Sequence, residues 1–260
     1  LEFDPADAES RVLHARALIA VQEQAEAETH LREALRLDPR SARAEDAALL
    51  LAEVLRDKGK VGESPSEWEE LLAGLARKTP PCFEALVLLA EAREAQGDVE
   101  GRDAWLARAR AEQPDAAKQY FAQGLKLLDA GGNADVRRAW RRALALDPGH
   151  PRAAWSLSLF VPVVYGSADD IAPARAAFGE GLARLERAYG FDSGVEANRA
   201  FLAAGSWSNF FLAYQEQDDR DFQERYARLV SGIVARRFPE FARTPALPEA
   251  EPDGRLRIGF

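Results

Sequence analysis

Ala143-Leu-Ala-Leu-Asp-Pro148 closes a segment that the chain has already ended twice in related form, at Ala34-Leu-Arg-Leu-Asp-Pro39 and Ala109-Arg-Ala-Glu-Gln-Pro114, and once as the opening Leu1-Glu-Phe-Asp-Pro5. Prolines 5, 39, 80, 114 and 148 lie 34, 41, 34 and 34 residues apart. Proline cannot continue a helix, so each marks the end of a unit. A unit of about 34 residues, alanine-rich before its proline, reads as a pair of helices that cannot bury its apolar face alone. Neighbouring units then supply the core, and the stack leaves a concave surface.

With each closing proline set as position 32, small residues are expected at 8, 20 and 27 and bulky ones at 4, 7, 11 and 24. The unit ending at Pro39 places Ala15, Ala27, Leu31 and Ala34 at 8, 20, 24 and 27. That ending at Pro114 places Leu86, Leu89, Ala90, Gly97, Leu106 and Ala109 at 4, 7, 8, 15, 24 and 27. That ending at Pro148 places Gly124, Leu127, Gly131, Trp140 and Ala143 at 8, 11, 15, 24 and 27. Small residues let paired helices approach while a bulky neighbour fills the groove. The pattern resembles tetratricopeptide repeats and implies an all-α right-handed superhelix. The unit ending at Pro80 is irregular: Ala52 and Gly59 fit its first helix, Lys60-Val-Gly-Glu-Ser-Pro65 lengthens the turn, and Ser64 with Pro65 would start the second, carrying Trp68, Leu71, Leu72 and Leu75.

After Pro148 the register fails. Ala153 to Val164 is apolar nearly all round and is broken by Pro162. Ser167-Ala-Asp-Asp170 caps a helix from Ile171 to Tyr189, stopped by Gly190. Val195 to Ala204, Asn209 to Gln217 and Asp221 to Phe238 read as further helices, and Pro239, Pro245, Pro248 and Pro252 punctuate a linker. Arg255-Leu-Arg-Ile-Gly-Phe260 alternates like the start of a β-strand. The expected organisation is a repeat tail at 1–7, four repeats at 8–150, a helical extension at 151–241, and a linker with the first strand of another domain at 242–260. Both ends read as cut from a longer protein, without excluding a leader.

Two stretches outside the repeats, with that closing strand, carry a second resemblance. Phe160-Val-Pro-Val-Val-Tyr165 with Asp170-Ile171 and Arg175-Ala-Ala-Phe178 is one; Ser208-Asn-Phe-Phe-Leu-Ala-Tyr214-Gln, Asp218-Asp-Arg-Asp-Phe-Gln223, Tyr226 and Arg236-Arg-Phe-Pro239 form the other. They resemble the junction joining tetratricopeptide repeats to the catalytic half of bacterial relatives of the O-linked N-acetylglucosamine transferase and SPINDLY family. The resemblance implies an N-terminal region that selects protein acceptors for a nucleotide-sugar transferase, with a catalytic domain in cis as partner. The family's catalytic and sugar-binding residues would lie beyond Phe260, so none falls on this chain. Its asparagine ladder is missing too, because the corresponding positions hold Leu13, Leu50, Leu88 and Ala122. A free-standing repeat adaptor is the alternative.

Composition agrees with an ordered chain that works by contact. Of 260 residues, 47% are apolar and 30% charged, and the net charge of −9 disfavours nucleic-acid partners. One cysteine, Cys82, rules out an internal disulfide and suits a reducing, cytoplasmic setting. No apolar run is long enough to span a membrane. No catalytic, cofactor or metal set is expected. His14, His30 and His150 are spaced too widely to read as a metal cluster, with His150 in a loop. Cys82 follows Pro80-Pro81 at a helix start, a place that can lower a thiol's pKa, although a small buried side chain is the simpler reading. Gly131-Gly132-Asn133 reads as a turn, Asp169-Asp170 and Asp218-Asp219 as helix starts, and Arg137, Arg138, Arg141 and Arg142 as a solvated helix face. Phe210, Phe211 and Tyr214 are expected to lock the last helices into place, with Asn209 as N-cap.

Positions 2, 5, 9 and 12 of each first helix should line the inner face. They hold Arg16, Ile19, Glu53, Arg56, Glu84, Val87, Glu91, Glu94, Lys118, Phe121, Leu125 and Leu128. An extended protein segment is the expected occupant, its basic groups meeting Glu84, Glu91 and Glu94 and an apolar side chain meeting Phe121 and Leu125.

Overall fold

Helix-forming runs bounded by caps and prolines account for most of the chain in the computed structural model, which describes residues 4, 6–39, 43–58, 66–129, 133–190, 196–206 and 209–242. Among the described residues every regular element is helical. The strand expected at Arg255–Phe260 and the start at Ser64-Pro65 lie outside them. The helices sort into two units, Leu1–Ala117 and Lys118–Phe260.

In the first unit, α1 (Ala8–Ala20), α2 (Gln24–Leu37), α3 (Ala44–Lys58), α4 (Glu67–Ala76), α5 (Phe83–Ala95) and α6 (Val99–Glu112) each pack on the next, and α1 also touches α3. Capping fixes where they start. The Asp7 carboxylate accepts the Ser10 amide at 2.7 Å, and Asp98 accepts that of Gly101 at 2.8 Å. Helix α4 begins after Ser66, whose amide donates to the Glu69 carboxylate at 3.3 Å. The turns between paired helices pass through the left-handed region, at Gln22 with φ 67° and at Gly97 with φ 75°. Both residues are position 15 of their units. Glycine adopts that conformation without a steric penalty, whereas glutamine does not.

The expected small positions are the tightest contacts. Ala15, Ala27 and Ala109 have no exposed surface, and Ala34, Ala52 and Ala90 have at most 2%. Leu31, at position 24, is also fully buried. Val12, Ala15, Ala27, Leu31, Ala34, Ala47, Leu51 and Val54 form one apolar cluster running from the first hairpin into α3. This is the shared interior that a helical-hairpin repeat requires.

The second unit begins with α7 (Ala116–Asp129), whose first residues lie at the boundary, and α8 (Asn133–Leu146). Gly124 and Trp140 meet there so closely that a Cβ on Gly124 would stand 2.3 Å from the indole nitrogen. Then come α9 (Pro151–Ser158), α10 (Ile171–Tyr189), α11 (Ala197–Ala204) and α12 (Arg220–Arg237), with short 3-10 turns at Ala168–Asp170 and Phe210–Gln215. Helix α9 ends at Ser158, before Pro162, and Leu159, Phe160 and Val161 continue as buried irregular chain. The residue preceding a proline resists helical geometry, which favours that early stop. Helix α9 packs on α8, α10 and α11, and α12 covers α10 and α11. Trp155 lies edge-on to Tyr189 and Tyr226, at 5.7 and 6.2 Å, in a core shared with Phe178, Leu182 and Ile233.

Two expectations change here. Residues 210–215 form a 3-10 turn, not an α-helix, and Phe210 and Tyr214 are 60% and 67% exposed instead of locking the last helices. Asn209 stands at the N-cap position, but its side-chain amide donates to Gln223 at 2.8 Å and caps nothing.

Candidate partner-binding face

Polar side chains on α1, α3 and α5 link the first helices of successive hairpins in the first unit. Arg16 reaches Asp46 at 3.1 Å, joining α1 to α3, and Arg56 reaches Glu91 at 3.5 Å, joining α3 to α5. Of the expected inner-face residues, Arg56 and Glu91 therefore meet directly. Glu94 is the most open of the acidic ones, 63% exposed, and lies 3.7 Å from Arg102 of α6. Glu53 and Glu84 are half-buried, Ile19 packs against the apolar cluster, and Val87 is fully enclosed. The acidic stripe is thus partly neutralised within the chain. A basic partner group at Glu91 or Glu94 would compete with Arg56 or Arg102.

In the second unit, Lys118 and Leu125 are exposed on α7. Phe121 is different. It is buried at 6%, stacked on Trp140 at 6.1 Å and 5.2 Å from the His150 ring. Its side chain fills the interior of its own unit, so the proposed apolar contact there falls to Leu125.

The second helices carry their own cross-links. Arg32 on α2 makes a two-pronged contact with Glu67 of α4, at 2.5 and 2.8 Å, and also holds Glu28 at 2.8 Å. Lys58 bonds to Glu28 at 2.7 Å, and these two hydrogen bonds, with Lys58's the stronger influence, hold the Glu28 carboxyl below its usual range. Glu69 is 4% exposed and accepts Gln96 at 2.9 Å with Arg93 at 3.8 Å, tying α4 to α5. An open depression of about 480 Å³ lies among α2, α3 and α4, floored by Leu35, Ala48, Leu71 and Leu75 and rimmed by Glu67 and Lys78. Sequence reasoning looked only at first helices and passed over it.

The junction motifs converge at one arginine. Arg175 of α10 donates to the Asp219 carboxylate at 2.6 Å, to the Gln215 side-chain carbonyl at 2.8 Å and to the Asp218 backbone carbonyl at 2.8 Å, with its guanidinium 5.2 Å from the Phe222 ring. The Gln215 amide in turn donates to the Tyr165 hydroxyl. Asp218 and Asp219 serve this clamp, and Asp219 stands at the start of α12. Residues that the sequence quotes in two separate stretches are therefore a structural brace.

The other singled-out groups sort by burial. Cys82 is 6% exposed, and burial, the largest influence, pushes its thiol up to about 11, overriding the helix start that could have lowered it. His150 sits in the loop between α8 and α9, as expected, and there it is the N-cap of α9, 8% exposed, with its Nδ1 accepting the Ala153 amide at 3.1 Å. Arg137 and Arg142 lie over the rings of Phe160 and Tyr120, at 5.8 and 5.6 Å, and Arg138 pairs with Asp135 at 3.7 Å. The basic face is thus spread over aromatic and acidic neighbours. His14 and His30, far apart in sequence, are adjacent in space, with ring centroids 4.7 Å apart. None of the described helices is long and apolar enough to cross a membrane.

No protein-family model matches the chain, and no curated protein matches it. Among solved structures it is similar to MamA protein, with 19% identity, a TM-score of 0.39 and coverage of 73% of this chain and 97% of that one. It is similar to TTC0263, a thermophilic TPR protein of Thermus thermophilus, at 18% identity and TM-score 0.40, covering 86% and 98%. It is also similar to Pseudomonas aeruginosa pilF, at 19% identity and TM-score 0.39, covering 89% and 92%.

Proposed function

We propose that the chain is a protein-interaction scaffold of tetratricopeptide type, in which residues 8–150 form four helical-hairpin units and 151–241 a helical extension. A partner's extended segment lies along the first helices, over Arg16, Glu53, Arg56, Glu84, Glu91 and Glu94, while Lys118 and Leu125 offer a separate contact on the second unit. The observation that carries this reading is the Arg56–Glu91 pair at 3.5 Å, which sets polar side chains of α3 and α5 side by side on one face. The side chains of this pair are 28% and 31% exposed, so solvent still reaches and screens it and a ligand can compete for it. The acidic balance, net charge −9, favours basic segments.

The finer reading, that the scaffold selects acceptors for a nucleotide-sugar transferase of the O-linked N-acetylglucosamine transferase type, rests on the junction motifs alone. Their residues around Arg175 have a structural use that explains them without a transferase. The free-standing adaptor is the reading we favour.

Peptide display against the intact chain, followed by fluorescence-anisotropy titration of the selected sequences, tests the scaffold. Basic extended peptides should emerge, and Glu84→Lys with Glu94→Lys should weaken them at least about tenfold, more at low salt than at high. Selected peptides indifferent to both substitutions would refute the assignment of this face.

A further inference from the structure

The first hairpin brings together three side chains that stand at 14, 26 and 30 in the sequence. Glu26 and His30 are four residues apart on α2 and share one face. His14 meets them from α1. Candidate ligand atoms of all three lie within 4.8 Å of one another. The two imidazoles are edge to face at 4.7 Å, and His30 Nε2 is 3.9 Å from the Glu26 carboxylate. The geometry points to a binding site for a borderline divalent transition ion of the zinc class, held by His14, Glu26 and His30.

The donor set selects that class. Two imidazoles and a carboxylate suit zinc, copper(II) or nickel(II), whereas magnesium and calcium prefer all-oxygen surroundings. Bonds of about 2.0–2.1 Å to a tetrahedral centre place ligand atoms about 3.3 Å apart, so the three groups must close by about 1.5 Å. Side-chain rotation supplies that, because Glu26 stands on the rim with 60% of its side chain exposed, while His30 is 14% exposed and held in the hairpin. Three protein ligands leave the fourth position to water or to a group from outside.

Arg11 is the resident competitor. Its guanidinium lies 3.3 Å from His30 Nδ1 and can only donate, so Nδ1 is the acceptor and the imidazole proton sits on Nε2. If an ion takes Nδ1, Arg11 is displaced directly. If it takes Nε2, the proton must move to Nδ1, which then no longer accepts. Both routes remove the Arg11 contact.

The test is calorimetric titration of zinc chloride into the tag-free chain near pH 7.5, with magnesium chloride as control. The expected result is one zinc per chain and no magnesium heat. His14→Gln and His30→Gln should each lose at least about tenfold in affinity. Glu26→Gln, on the exposed rim and safe for the fold, should weaken binding in the same direction, and Arg11→Met should tighten it several-fold. Circular dichroism confirms that each variant keeps its helices. Zinc that fails to saturate at one per chain, or that binds the His14→Gln/His30→Gln double variant as well as wild type, overturns the site. Equal affinity in Arg11→Met overturns the role of the arginine.

Discussion

The indole N–H of Trp140 donates to the backbone carbonyl of Phe121 at 3.2 Å, over a Gly124 that leaves no room for a side chain. Position 24 of one helix thereby packs on position 8 of its partner and donates a hydrogen bond to the backbone at position 5. A methyl on Gly124 would meet a fully buried indole ring, so Gly124→Ala should cost about 1–3 kcal/mol through overpacking. Gly181→Ala should cost more, since its Cβ would stand 1.7 Å from the Ser158 backbone carbonyl, which cannot swing aside. Gly74 in α4 has nothing within 4 Å, and Gly74→Ala should stabilise by about 0.5–1 kcal/mol. Urea denaturation of the three variants checks the order.

Arg175 braces the second unit through three oxygen acceptors, with side-chain exposures of only 15% for itself and 16% for Asp219. Arg175→Lys keeps the charge but loses the planar fork. It should destabilise by about 2 kcal/mol, the scale of a charged hydrogen bond left unmade. Thermal unfolding should show the loss, and a variant as stable as wild type would mean that the brace is incidental.

His150 gives a pH dependence with a definite sign. Burial lowers its pKa from the ordinary histidine value of 6.5, and its Nδ1 must stay unprotonated to cap α9. The unfolded chain therefore binds the proton more readily, and folding stability falls as pH drops below 6.5 towards the lowered value. His150→Asn supplies a cap that does not titrate, and should flatten the loss of stability as pH falls below 6.5. Chemical denaturation at several pH values reads this; an unchanged slope would assign the acid sensitivity elsewhere, with His30 the first alternative.

The Cys82 thiol, pushed up to about 11, stays protonated in the fold and should resist iodoacetamide at pH 8 until the chain unfolds. Because its folded pKa exceeds the ordinary 9.0, its effect on stability is confined to alkaline pH, where stability falls as pH rises through about 11. Mass spectrometry of labelled protein in native buffer and in denaturant checks the first point. Rapid native labelling would contradict the burial.

The helices were legible where one period governed both packing and chain length. The predicted span Ile171 to Tyr189 is the observed α10, and the small residues at Ala15, Ala90 and Gly124 sit at the tightest contacts. Failures came from assuming the wrong local geometry. The aromatic run at 210–214 was read with a helical period of 3.6, but in a 3-10 turn residues three apart eclipse. Leu212 and Gln215 then share the buried side, at 0% and 3%, leaving Phe210 and Tyr214 outside. Phe121 was placed on the inner face by repeat position, yet it faces Trp140.

The histidine pair was readable but overlooked. A hairpin folded about Gln22 sets residues equidistant from it level with each other, and His14 and His30 each lie eight positions away. Linear spacing hid this. Arg11 beside His30, and Gln215 bonded to Tyr165 across 50 residues, carry no local signal at all.

The central claim is that the polar face of α1, α3 and α5 receives a partner's extended segment. Amide chemical-shift mapping of the intact chain with a display-selected basic peptide tests it most directly. The account predicts perturbations concentrated near Arg16, Arg56, Glu84, Glu91 and Glu94, fading as salt is raised. Perturbations confined to the depression among α2, α3 and α4, or to the aromatics at 210–214, would contradict it.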